Sequence, residues 1–258
     1  MLGPDLFVAA ASFVAGALNA AAGGGSFISF PAVLATGVAP ISANATNNTA
    51  MWLGSLASAG EFRKQLDVPR HTLVRMLAAS CAGSIAGALL LLHTPNATFA
   101  GLIPFLLLGA TLLFIFGPRI TEAARRAGTP LGIESALGLA TQTAIAVYGG
   151  FFGAAIGILM LALLEVFGMH DLRRANALKA LLATVINGVA VVPFLIARVI
   201  ALEPAVAMSL GAVAGGLLGA RLVKRLPTPV VRGFVVAVAC AMTAYFFWKT
   251  YLVGAPHA

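Results

Sequence analysis

The chain of 258 residues is 60% hydrophobic and only 9% charged, with a mean hydropathy of +0.98. Soluble domains carry about 25% charged residues, so this composition excludes a water-soluble globular fold and makes lipid the solvent for most of the chain. The net charge of +8 falls in short segments between apolar runs, which assigns it to membrane topology and not to a nucleic acid partner.

The apolar runs are long and lack the alternating polarity of barrel strands, so the predicted fold is an all-α polytopic membrane protein. Lys and Arg gather in 61–75, 118–126, 171–179 and 221–232. These segments are expected to be cytoplasmic, and the sparse breaks at the N-terminus, 36–42, 93–98 and 197–204 external. The first twenty residues hold no Lys or Arg. They lack the basic region of a cleaved signal, so the N-terminus is expected to be retained.

In chain order, 5–36 comes first, with Gly23, Gly24, Gly25 and Ser26 dividing two apolar arms. As helices the arms 6–22 and 27–37 reach about 25 and 16 Å, against a hydrocarbon core of about 30 Å. The segment begins and ends on the same side, so it must enter the membrane and turn back. It is either a re-entrant or broken hairpin or a pair of short tilted spans. Spans about 42–60, 72–92 and 98–117 follow. Segment 131–168 is the second hairpin, interrupted at "YGGFFGAAIG", with Gly149, Gly150 and Gly153. It precedes spans about 174–197, 204–221 and 230–252, and both termini are expected outside.

One offset of 132 residues pairs Asn44 with Asn176, Gly83 with Gly215, Gly87 with Gly219, Thr111 with Thr243 and Phe114 with Phe246. The chain therefore reads as an inverted-topology repeat, residues 1–120 and 121–258, each half a hairpin plus three transmembrane helices. Three spans is an odd number, so the second half enters from the opposite face. Secondary transporters use this plan, with the site near the midplane where broken segments meet.

Asn44, Asn47, Asn48, Ser55 and Ser58 recur at steps of three and four, and so do Asn176, Lys179 and Asn187. Amides are costly in hydrocarbon unless satisfied, so these faces must look into the bundle. For Ser58 and Asn187 inter-helix hydrogen bonding explains the position equally well. Asn44 and Asn176, repeated directly after each hairpin, are read as site residues. Lys179 either faces that site or snorkels to the headgroups. The glycines at the breaks permit close ligand approach beside the free N–H groups of a helix start, a setting for anions, with Ser26 placed to cap or donate. The alternative is tight packing, for which "GSIAG" (83–87) and "GAVAGGLLG" (211–219) are the better examples, within one protomer or across a homodimer.

The stretch "AAGGGSFISFPAVLATGVAPISANATNNTA", with "YGGFFGAAIGILMLALLEVFGMHDLRRANALKALLATVINGV" downstream, resembles the TauE/SafE sulfite-exporter family of membrane transporters over essentially the whole chain. The resemblance implies a small sulfur-containing anion, sulfite or an organosulfonate, as substrate. The family motif maps to Gly23, Gly24, Gly25, Ser26, Pro31, Asn44, Thr46 and Asn47, and to Gly149, Gly150, Gly153, Gly157, Asn176 and Lys179. Expected is an anion transporter of the cell membrane, with export favoured and an anion channel on the same fold as the alternative. An enzyme is not expected, nor any cofactor or metal. The four histidines lie at loops or ends without metal-ligand spacing, and Cys81 and Cys240 sit in apolar runs. The eight acidic residues all avoid the middle of the full spans, which disfavours a carboxylate proton relay.

Overall fold

The computed structural model describes residues 2–21, 24–59, 66–127, 132–219 and 228–253, and every regular element among them is helical. The first hairpin is α1 (Leu2–Ala21) and α2 (Ser26–Ala35), followed by α3 (Pro40–Ala59), α4 (Arg70–His93) and α5 (Asn96–Ala127). The second is α6 (Ala136–Phe151) and α7 (Ile156–Val166), followed by α8 (Leu172–Ile196), α9 (Leu202–Ala214) and α10 (Thr228–Phe247). Helices α9 and α10 each run on into a π-helical turn, Gly215–Gly219 and Trp248–Leu252.

Among the described residues, four stretches are long and apolar enough to cross a membrane: Arg70–His93, Asn96–Ala123, Arg174–Ile196 and Val230–Leu252. Helix α3 has 20 residues, a rise of about 30 Å, but its asparagines lower its apolarity. The second arms are short, with 10 residues in α2 and 11 in α7, about 15 and 16 Å. Leu89, Leu90, Phe105, Leu112, Val206, Leu210 and Phe234 are exposed. A belt of this kind suits acyl chains and would be an aggregation hazard in water.

Helix α5 continues through the basic segment 118–126 that the sequence reads as a loop. Pro118 lies inside it and cannot donate to the Phe114 carbonyl four residues back. Arg232 of α10 supplies the missing donor, giving Nη2 to the carbonyl of Phe114 (2.9 Å) and also to that of Ile115 (3.0 Å). Beyond the proline, Arg126 pairs with Glu122 at 3.0 Å one turn away, so the helix extends as a polar, solvated end.

Glycine decides which helices touch. A Cβ on Gly83 or Gly87 would land on the Thr143 or Val147 carbonyl oxygen, and one on Gly150 would strike that of Ser84. Helices α4 and α6 therefore run parallel at backbone contact. Gly211 and Gly215 meet the Ala9 and Phe13 carbonyls in the same way, and Gly16 meets that of Ala212, so α1 and α9 form a second parallel pair. Each hairpin's long arm thus packs on the span two helices past the other hairpin. The glycine faces singled out in the sequence are used within the protomer. Thr111 of α5 and Thr243 of α10 share a buried hydrogen bond of 3.0 Å.

Outside the apolar belt, Thr72 donates to Glu134 at 2.7 Å and His71 Nε2 lies 2.9 Å from the same carboxylate. The Thr72 hydrogen bond holds the Glu134 carboxyl below its ordinary range, against a smaller upward push from burial. A carboxyl lowered in the fold stabilises it at neutral pH, and the contribution is lost as pH falls through the folded value. Thr72→Val is therefore expected to lower the unfolding temperature in detergent at pH 7, with the difference closing on acidification. Gly87→Leu should cost stability of about 1–3 kcal/mol through overpacking. Gly109 of α5 has nothing within 4 Å of its Cβ position, and Gly109→Ala should stabilise by up to about 1 kcal/mol. Thermal unfolding of the two variants side by side checks both.

Candidate functional site

Helix breaks need backbone conformations that ordinary residues resist. At the first break Gly24 adopts φ +85°, and a Cβ there would lie 2.7 Å from Val235 Cγ1 and 3.1 Å from Phe114 Cε2. Only glycine meets both conditions. The Gly25 N–H donates to Asn19 Oδ1 at 2.8 Å, while the same side chain reaches Met51 Sδ at 3.6 Å through Nδ2. Asn19 thereby ties the end of α1 to the start of α2 and to α3. One turn into α2, the Ser29 hydroxyl donates to Asn47 Oδ1 at 2.5 Å. Gly25 holds the N-cap position, so Ser26 is the first residue inside the helix and not its cap. Gly23 lies outside the described residues.

The second break is built differently. The N–H groups of Phe152 and Gly153 both turn to the Tyr148 carbonyl, at 2.9 and 3.2 Å. Gly153 has φ +83°, and Ala155 adopts the left-handed region at φ 61°, a strain of about 1–3 kcal/mol for a residue with a Cβ. This geometry takes the usual helical partner, the Gly153 N–H, from the Gly149 carbonyl. Asn44, only 1% exposed, donates Nδ2 to the Phe151 carbonyl at 2.9 Å. Asn48 Nδ2 and Asn187 Oδ1 approach the point where a Gly153 Cβ would lie, at 3.8 and 3.7 Å, and the Gly149 carbonyl oxygen stands 3.2 Å from it.

Helix α3 thus divides its polar face. Asn47 and Met51 serve the first hairpin, and Asn44 and Asn48 serve the second. The hairpins themselves touch where Phe30 of α2 meets Phe152 edge to face, with centroids 5.8 Å apart. Gly149 packs beneath Ile186 and Ile156, and Gly150 against Ser84, so both have close-packing duties.

Lys179 lies along the first turn of α7. Its Cδ is 3.4 Å from the Cβ position of Gly157, and its Nζ donates to Asn176 Oδ1 at 2.9 Å. The stem therefore lies on a neighbouring helix of the bundle. The N–H groups of a first helical turn have no intrahelical acceptor, and their positive end faces the break. Asn176 thus holds the ammonium one turn back along α8, while the stem rests on that helix start. At the far end of α7, buried Glu165 is paired with His170 Nδ1 at 3.0 Å.

Sequence periodicity finds Asn44, Asn48 and Lys179 but not Asn19 or Ser29, whose roles come from chain reversal at the first break. Asn187 carries a visible signal, eight residues beyond Lys179 on the same helical face, and inter-helix bonding explains that signal equally well.

The profile of the family described as "Sulfite exporter TauE/SafE" matches residues 8–246. The chain belongs to this family. A probable membrane transporter protein of Haemophilus influenzae is 30% identical over 233 residues, 90% of each chain. The probable membrane transporter protein YfcA of Escherichia coli K12 is 28% identical over 255 residues, covering 97% of this chain and 91% of the relative. No solved structure matches the chain. Family and relatives are membrane transporters and not enzymes, and with the apolar helices they make this TauE/SafE member a multi-pass membrane transporter.

Asn44→Leu is expected to free the Phe151 carbonyl in a buried setting, a loss of about 1–3 kcal/mol. Hydrogen exchange in the variant should speed up at 151–157 well before the rest of α6 is affected.

Proposed function

We propose that this TauE/SafE member moves a small sulfur oxyanion or sulfonate across the cell membrane by alternating access, with the anion at the second break. The observation that carries the reading is the Lys179 stem on the first turn of α7, because an ammonium beside a helix start is complementary to an anion. Asn176 orients the amine, and Asn44 and Asn48 line the approach from α3. Gly24, Gly25, Ser26 and Asn47 belong to the corresponding region of the first hairpin, with Gly23 beside them in sequence. In this reading both hairpins are re-entrant, both termini are external, and halves 1–120 and 121–258 form an inverted repeat.

Two contacts support the repeat. Thr111 and Thr243, hydrogen-bonded to each other, are separated by the same 132 residues that pair Asn44 with Asn176. A residue and its repeat mate meet face to face only near an axis relating two halves. The exchange of α1 onto α9 and α6 onto α4 obeys the same relation. Export is the favoured direction, since an anion leaving a negative-inside cell gains about 2.3 kcal/mol per charge per 100 mV.

Binding of sulfite, sulfoacetate, sulfate and acetate to purified protein, read as thermal shift and as tracer flux in liposomes, tests the reading. A charge-assisted hydrogen bond is worth about 1.5–3 kcal/mol. Lys179→Ala should therefore weaken sulfite or sulfoacetate binding by about 10- to 100-fold. Unchanged affinity in Lys179→Ala would place the anion elsewhere.

A further inference from the structure

The two ends of the second break have opposite polarity. The start of α7 is positive, whereas the end of α6 presents carbonyl oxygens whose helical partners are gone. Around the Cβ position of Gly153 stand the Gly149 carbonyl oxygen, Asn187 Oδ1 and the Asn48 amide, all within 4 Å. Asn48 is 5% exposed, and its Oδ1 has no hydrogen-bond partner. A buried acceptor without a donor is costly, and no partner holds this oxygen in its present orientation, with Nδ2 facing the Gly153 position. With Oδ1 unheld, a half-turn about χ2 exchanges it for Nδ2 and brings a third oxygen to the same point.

We propose that a monovalent cation, Na⁺ by preference, binds at the end of α6 between the Gly149 carbonyl, Asn187 Oδ1 and the Asn48 amide oxygen, and strengthens anion binding at the adjoining start of α7. The inference builds on the anion site argued above. Broken helices in membrane transporters satisfy small cations with free carbonyls at a helix C-terminal end. The three donors are neutral oxygens, and no group of three His, Cys, Asp or Glu side chains able to hold a metal occurs among the described residues. Such a set favours a singly charged ion over divalent ions, which draw on carboxylates. Gly153 leaves the space open, since a Cβ would stand 3.2 Å from the Gly149 oxygen. The cation and Lys179 then flank one anion from two sides.

The full-length protein in detergent is titrated with NaCl, KCl or choline chloride at constant ionic strength, followed by thermal unfolding and by sulfite affinity. A saturable rise in unfolding temperature with Na⁺, absent with choline, is expected. Sulfite affinity should improve at least threefold in Na⁺. Asn187→Ala and Asn48→Ala should each raise the half-saturating Na⁺ concentration tenfold or more. The same unfolding temperature and sulfite affinity in Na⁺ and choline would mean that the cradle holds water only, which overturns the proposal. A Na⁺ response unchanged in both variants overturns it as well. Sulfite binding in choline that remains sensitive to Lys179→Ala would leave the anion site standing while the cation site falls.

Discussion

Hydrocarbon offers a backbone N–H or carbonyl no partner, so a chain that interrupts a helix within it must provide one from its own side chains. In this protein those replacements join the helices to one another. Arg232 covers the carbonyl freed by Pro118 and thereby binds α10 to α5. Asn44 covers Phe151 and joins α3 to the second break, while Asn19 receives Gly25 and holds the first hairpin closed. Ser84 donates to the Ile186 carbonyl across α4 and α8, and Thr46 accepts the Ala201 N–H at 3.0 Å before α9 begins. The polar residues set in this greasy sequence are thus connections between helices.

The same constraint underlies the anion site proposed at the second break. Asn44 covers the Phe151 carbonyl there, and the proposed site uses the ends facing Gly153 and the first turn of α7. Covering these ends with protein would make a rigid plug, and leaving them open to lipid would be prohibitive. In the proposed site a ligand drawn from water would satisfy them only when present. The left-handed Ala155 and Gly153 set the chain reversal between α6 and α7.

Glycine makes this arrangement compact. The parallel pairs α4–α6 and α1–α9 approach until backbone meets backbone, so each hairpin is held by the opposite half of the chain. Dispersion and close fit replace the hydrophobic effect as the source of attraction between helices in lipid.

The sequence by itself determined the solvent, the helical class, the two glycine-marked helix breaks and the family, because length, apolarity and glycine runs are local properties. It also pointed to Asn44, Asn48 and Lys179, since polar groups recurring at helical spacing have to face protein. Tertiary structure alone decided that α3 shares its asparagines between two hairpins, and that Asn187 stands at a break. It also decided that Asn19 and Arg232 repair the backbone, and that Lys179 lies on Gly157. Periodicity reports which face of a helix is buried but not which neighbour covers it. That choice depends on distant glycines and carbonyls meeting across the bundle.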